Sequence, residues 1–343
     1  MSRLRLLLLL AGAGTLLAGL PAHAAVRTSS EPAPTGAAAS ESRAISLLSA
    51  ASRAARMRTY SGTQYVSTWQ DDVATSGVAD VSHTAATGTV VHPRATAAGD
   101  SSVTPTPDLD PRLLRLLAQH YVLAVAESSS AAGRSAQVVE ARRPGGSVAG
   151  RFWVDDATAL VLRRETFDAA GRLIRSSAFA VLKVGPIGVE RAPAALTAEG
   201  VDAAAVEDLR RDGWDIPATL EGLELYDARV RTHDGKPVLH LSYSDGLSTL
   251  SLFAQRGRLG ATRMAGFTRK KLGAGAVWVR SSSPERVVWG GGGRVFTLLS
   301  DAPAETVRAA VTVLPHEKAP RTGLLARLGR GLARLGSWLN PFD

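Results

Sequence analysis

Between Arg151 and Val184 three apolar-rich runs follow one another with only short polar turns between them, an arrangement few folds accept. The runs are Phe152-Trp153-Val154, Ala159 to Thr166 and Leu173 to Val184; the turns are Asp155-Asp156-Ala157-Thr158 and Asp168-Ala169-Ala170-Gly171. Turns this short join antiparallel neighbours, because parallel neighbours need a crossover of a dozen or more residues. The segment is therefore an antiparallel meander. Leu160, Val161 and Leu162 put bulky apolar groups on both faces, so one face meets a helix and the other something equally apolar.

Upstream, Ile45, Leu48, Ala51, Ala55 and Met57 roughly follow helical spacing, and Ser40 or Ser42 is available as a cap. Tyr60-Ser61-Gly62-Thr63 breaks that helix, and Thr63 to Trp69 has strand composition. Val73 to Val91 continues at strand density, with Gly77 and Gly88 as turn points, before a polar loop from Arg94 to Pro107. Asp108-Leu109-Asp110-Pro111 offers an N-cap with proline in the first turn, and Leu113, Leu114, Leu117 and Tyr121 supply a second short helix.

Pro186 to Gly200 carries no strand pattern and reads as a domain boundary, followed by a linker helix at Asp202 to Arg211. Beyond Trp214 a second strand-rich unit begins. Leu223 to Thr232, Val238 to Tyr243 and Leu247 to Gln255 are separated by His233-Asp234-Gly235-Lys236 and Ser244-Asp245-Gly246, two turns of the Asp-Gly type that mark hairpins. Val277 to Arg280 and Val295 to Leu299 add strands around the Gly290 to Gly293 loop, and Pro303 to Val313 adds a helix. The expected division is a signal at 1–24, a disordered leader at 25–40, a first domain at 41–190, a linker at 191–213, a second domain at 214–316 and a tail at 317–343.

The ends set the compartment. Arg3 and Arg5, the apolar run Leu6 to Leu20 and Ala22-His23-Ala24 have the order of a secretory signal. There is no cysteine, which excludes disulfides, thiolate metal sites, thiol nucleophiles and a lipid-modified anchor. The formal net charge is +9, but Lys318, Arg321, Arg327, Arg330 and Arg334 gather much of it at the C-terminus. No broad nucleic-acid surface is left, and none is expected of an exported protein.

The order of elements and several strings resemble the RseB/MucB family of extracytoplasmic regulators that act on a stress sigma factor. The strings are Ser46 to Thr63, Arg151-Phe152-Trp153-Val154-Asp155 with Asp168-Ala169-Ala170-Gly171-Arg172, and Leu241-Ser242-Tyr243-Ser244-Asp245-Gly246-Leu247. The resemblance spans Ala44 to Pro315 and contains no catalytic motif. It implies an α+β fold: a half-open antiparallel β-barrel wrapped on helices, similar to lipoprotein carriers, followed by a smaller antiparallel sheet-plus-helix domain. It also implies a membrane-anchored anti-sigma factor as partner, shielded from proteolysis, with lipid or lipoprotein as a further ligand. The alternative function is a lipid or lipoprotein carrier.

Val66, Trp69, Phe152, Leu160, Leu162, Phe167, Phe179 and Val181 are the candidates for an apolar cavity, since they are large side chains on strands that should curl around the helices. Plain core packing explains each equally well. Ser244, Asp245 and His240 or His233 have the composition of a hydrolase triad, yet Ser244-Asp245-Gly246 sits where a hairpin needs its turn and no Gly-x-Ser-x-Gly elbow is present. The histidines never fall at i and i+4 on a helix with carboxylates, so neither a metal nor a cofactor is expected. Gly290 to Gly293 lacks the lysine of a phosphate loop, and Arg269-Lys270-Lys271 reads as a solvated edge.

The tail carries one more pattern. At 100° per residue Leu324, Leu325, Leu328, Leu332, Leu335 and Leu339 share one face, Arg327, Arg330 and Arg334 the opposite one, and Trp338 stands near the boundary. This is a basic amphipathic helix suited to an anionic membrane surface or to a partner protein.

Overall fold

The computed structural model describes residues 36–316, apart from 71–72, 87, 95–108, 186–202, 212, 215, 234, 260–263, 273–274 and 281–284. The expected secretory signal, the expected polar loop after Arg94, the Pro186 to Gly200 segment and the expected amphipathic tail therefore lie outside the described residues.

The first helix, α1 (Gly36–Met57), starts ahead of Ala44 because Ala37, Ala38, Ala39 and Glu41 all favour helix. Ser40 is thus inside the helix instead of capping it, and its Oγ accepts a bond from the Val125 amide at 3.1 Å. The buried stripe is Ala44, Leu48, Ala51 and Ala54, while Ile45 and Met57 face outward. A face built largely of alanine lets strands approach closely.

The strands that follow are β1 (Tyr60–Gln70), β2 (Val73–Thr84), β3 (Gly88–Arg94), β4 (Val122–Val125), β5 (Ser129–Ala131), β6 (Arg134–Arg142), β7 (Val148–Asp155), β8 (Val161–Phe167) and β9 (Leu173–Val184), with α2 (Pro111–His120) between β3 and β4. They form one nine-stranded antiparallel sheet in the order β3-β2-β1-β9-β8-β7-β6-β4, with β5 on β6. α1 touches β2 near one edge and β4 at the other, so the sheet curls around the helix as a half-barrel. The expected α+β fold, with a half-open barrel on helices, is what the chain adopts. Three details differ. Tyr60 to Thr63 is the start of β1, β2 runs straight through Gly77, and Val122 to Arg142 contributes three strands that the sequence reading did not assign.

The meander turns are held by their aspartates. The Asp155 carboxylate receives Nε and Nη2 of Arg134 at 3.0 and 2.9 Å and the Thr158 amide at 3.0 Å. Burial alone would raise this carboxyl, but the Arg134 and Thr158 bonds hold it below its ordinary 3.8. A carboxylate depressed on folding contributes stability above its unfolded pKa, and that contribution is lost as pH falls through the folded value. Asp155→Asn should therefore unfold at lower urea than the unaltered chain at neutral pH, with the two midpoints converging below pH 3.8. Midpoints that stay apart at low pH would exclude the charged Asp155–Arg134 pair as the cause.

The second sheet comprises β10 (Thr219–Leu220), β11 (Leu223–His233), β12 (Lys236–Ser244), β13 (Thr249–Arg256), β14 (Thr268–Leu272), β15 (Gly275–Arg280), β16 (Glu285–Gly291) and β17 (Arg294–Ser300), preceded by α3 (Ala203–Arg211) and followed by α4 (Ala304–Val313). The order is β10-β11-β12-β13-β17-β16-β15-β14, again antiparallel. Its core gathers Trp289, Tyr243, Leu250 and Leu298, and α4 closes it with Val307, Ala310 and Val311. Trp289 stacks on Phe296 and His316 at ring distances of 5.2 and 5.8 Å, and its Nε1 donates to the Pro315 carbonyl at 3.0 Å. The glycine run turns the β16–β17 hairpin through Gly292 and Gly293, whose φ values of 57° and 74° suit a two-residue turn.

Candidate functional site

The curled sheet leaves a cavity between α1 and β1, β2, β3, β7, β8 and β9. Ala51, Ala55, Tyr60, Val81, Phe152, Leu160 and Phe179 make it apolar, while Gln64, Thr89, Ser177 and Arg164 add polar groups. Its volume is about 70 Å³, within about 710 Å³ of non-protein space once the open mouth is counted. A cavity of roughly 150 Å³ admits one benzene ring. Any chain-like ligand must therefore use the mouth or widen the cavity.

Of the eight cavity candidates, Phe152, Leu160, Leu162 and Phe179 border this space. Leu162 also packs with Ala136, Val138 and Trp153 in a separate cluster. Val66 is buried opposite Ser177 without bordering the cavity, Trp69 and Phe167 are half-buried, and Val181 is 52% exposed. Bulges explain the scatter. The register slips at Thr63/Gln64 in the β1–β9 pair and at Trp153/Val154 in the β7–β8 pair, and each slip moves side chains to the other face.

Arg164 was not among the candidates. On β8 it lies opposite Phe152, with its guanidinium 5.2 Å from that ring, and it is buried. Burial lowers its pKa to about 10, so it remains charged at neutral pH. Its Nη2 donates to the carbonyl of Leu247, a residue of the second sheet. The only trace in the sequence is two arginines interrupting an apolar strand.

That bond is one of several at a junction between the two sheets. The loop from Asp245 to Ser248 leaves β12 and inserts Leu247 into the first core, beside Leu113, Leu117 and Phe152. Gly150 and Gly246 permit the approach. A Cβ at Gly150 would lie 2.5 Å from Leu247 Cδ1, and one at Gly246 would lie 2.5 Å from the Leu113 carbonyl oxygen and 2.6 Å from Leu117 Cα. Tyr121 donates its hydroxyl to Asp245 Oδ2 at 2.6 Å, and burial together with that carboxylate pushes the phenol well above its usual range. Arg112 donates to the Tyr226 carbonyl, and His120 Nε2 lies 3.2 Å from Glu224 Oε1. Beside this junction, Arg112, Arg115, Arg210, Glu224 and Tyr226 line an open groove of about 380 Å³.

The triad composition is not assembled. Ser244 Oγ donates to the Ser248 carbonyl and accepts the Gly246 amide, Asp245 receives the Leu247 and Ser248 amides, and His240 stacks on Phe253 at 4.2 Å. Burial lowers the pKa of His240. Among the described residues no group of three His, Asp or Glu side chains is placed to hold a metal ion, and no helix is long and apolar enough to cross a membrane. Arg269, Lys270 and Lys271 lie on the edge strand β14, exposed, where charge discourages edge pairing.

Residues 86–205 match the MucB/RseB N-terminal domain. No curated protein matches the chain by sequence. Among solved structures, the Pseudomonas aeruginosa MucA/MucB complex is similar at 22% identity, covering 80% of this chain and 99% of that one, with a TM-score of 0.43. MucB in complex with MucA(peri) gives 20% identity, the same coverage of each chain and a TM-score of 0.42. A LolA superfamily protein from Nitrosomonas europaea gives 13% identity over 42% of this chain and 94% of that one, with a TM-score of 0.20. Likeness at these levels carries no weight of its own, and the match over residues 86–205 spans about a third of the chain.

Proposed function

We infer that this chain is an exported regulator that binds the extracytoplasmic part of a membrane-anchored anti-sigma factor, shields it from a regulatory protease, and is loosened by an apolar ligand in the cavity of the curled sheet. The observation that carries this reading is the family match over residues 86–205. In two of the solved structures similar to this chain, MucB is in complex with MucA. Binding needs no reactive group, which agrees with a serine, aspartate and histidine spent on a turn and a ring stack. The open groove beside the junction, with both arginine and carboxylate on its walls, supports contact with a polar peptide segment.

A second reading, a lipid or lipoprotein carrier, draws on the cavity itself. Its volume of about 70 Å³ weighs against carriage of a whole acyl chain and favours a sensing role. Crosslinking in intact cells separates the two. A regulator captures one membrane protein whose cytoplasmic part holds a sigma factor, and its deletion raises transcription from that sigma factor's promoters; a carrier captures lipid and leaves those promoters unchanged.

The tail pattern supports membrane contact in place of a lipid anchor, with Leu324, Leu325, Leu328, Leu332, Leu335 and Leu339 on the lipid side and Arg327, Arg330 and Arg334 towards anionic headgroups. On that reading the intact protein floats with anionic liposomes and a chain ending before Leu324 does not. Equal flotation of both would leave the tail to a protein partner.

A further inference from the structure

The second sheet is electrically polar from one end to the other. Residues 250–316 contain ten Lys and Arg against three Asp and Glu, and the strand register sorts them. Val238 pairs with both Arg231 and Gln255, Arg256 with Arg294, and Leu272 with Gly275. Arg231, Lys236, Arg256, Arg258 and Lys271 therefore gather at the end of the sheet where the β11–β12, β14–β15 and β16–β17 hairpins turn. All five are exposed, and none has a hydrogen bond or ion pair among the described residues. Carboxylates stand at the other end: Glu224 pairs with Ser244, Glu285 with Ser300, and Asp301 accepts the Thr249 amide at 2.7 Å. That other end also carries Asp245 and Leu247, which join the first sheet, so the basic rim is turned away from the junction.

The chain leaves the second sheet at this same rim. Gly275 and Gly291 have no Cβ to hold them off His316 and the Pro315 carbonyl, and Trp289 Nε1 bonds that carbonyl. The sequence beyond His316 is the one with Arg327, Arg330 and Arg334 opposite a leucine face. From β11 to β14 the rim crosses six strand spacings, about 29 Å. Charges spread that widely do not converge on one small anion; they match an extended anionic surface.

We propose that this rim docks on an anionic phospholipid surface, its guanidinium and ammonium groups against the headgroup phosphates and the second sheet end-on to the bilayer. The inference extends the membrane reading of the tail to the folded sheet without depending on it, because the five rim charges are in place ahead of residue 317. It leaves the junction and the first sheet facing away from the lipid, open to a partner.

Cosedimentation of the full exported chain with vesicles of mixed phosphatidylglycerol and phosphatidylcholine, and of phosphatidylcholine alone, tests the rim. The chain should bind the mixed vesicles, ignore the neutral ones, and be released by salt that shortens the Debye length to about 3 Å. A basic residue near an anionic surface strengthens binding about fivefold. The combined Lys236→Gln, Arg256→Gln, Arg258→Gln and Lys271→Gln variant should therefore bind about a hundredfold or more weakly. Arg53→Gln with Arg58→Gln, which removes two exposed charges from α1, should bind like the unaltered chain. Equal binding to both vesicle types overturns the proposal, and that comparison decides even if a variant fails to fold. An equal loss in the α1 variant reduces the effect to net charge and overturns it, as does a DNA duplex that competes as well as the mixed vesicles. Undiminished binding of the four-site variant, lost only when the chain ends before Leu324, overturns the rim and leaves the tail reading standing; the reverse pattern overturns the tail and supports the rim.

Discussion

Gly246→Val should uncouple the two sheets and split a single thermal transition into two. Gly246 has φ +87°, and its missing Cβ leaves the only room for the Leu113 to Leu117 backbone of α2. A side chain there incurs about 1–2 kcal/mol for the left-handed backbone and about 1–3 kcal/mol for displacing α2. The displacement falls on contacts that join the sheets: Leu247 in the first core, the Tyr121–Asp245 bond and the Arg164–Leu247 bond. Each sheet keeps its own core, so calorimetry should show two peaks. Gly235→Ala is the comparison, since Gly235 has φ +71° with nothing within 4 Å; it should lower one transition by the backbone strain alone. A single undivided peak for Gly246→Val would show that the junction does not hold the sheets together.

Trp289→Ala is expected to cost about 3–5 kcal/mol, enough to lower the melting temperature by roughly 15–25 °C in a domain of about 100 residues. Trp289 is fully buried, lies between Phe296 and His316, and is bonded to the Pro315 carbonyl. Its removal leaves a cavity against α4 and orphans that carbonyl, so the loss should fall on the second sheet while Asp155 and its hairpin stay native. Trp289→Phe, which keeps a ring but not the donor, should recover more than half of the loss. A full-sized loss with Trp289→Phe would assign the effect to the hydrogen bond instead of to packing.

The parts of the fold that were legible were those where local chemistry decides. The Asp155 and Asp168 turns, the Asp-Gly turn at Gly235 and the Asp110-Pro111 helix start each carry their cause within four residues, and the structure has them there. Strand β6 escaped because its buried positions include Glu140, held by Arg142 and Arg151, which breaks the apolar alternation, and β4 and β5 because four and three residues are too short to show a period. β14 escaped for a similar reason, being an edge strand of charged residues.

The cavity was half legible. Alternation identifies a shared face only until a bulge shifts it, and Val181, opposite Thr63 at the β1–β9 slip, points outward. The junction was not legible at all. Arg164 meets Leu247 across 83 residues and Tyr121 meets Asp245 across 124, so no local pattern links them.

On the proposed function this chain holds one partner, the external segment of a membrane-anchored anti-sigma factor, without altering it. Titrating the purified external domain of the host's anti-sigma factor into the exported chain measures that directly. A saturable complex of one partner per chain, from which the partner is recovered intact and which protects it from a site-specific protease, is the predicted result. No heat, or a partner cleaved at the same rate with and without the chain, would contradict it.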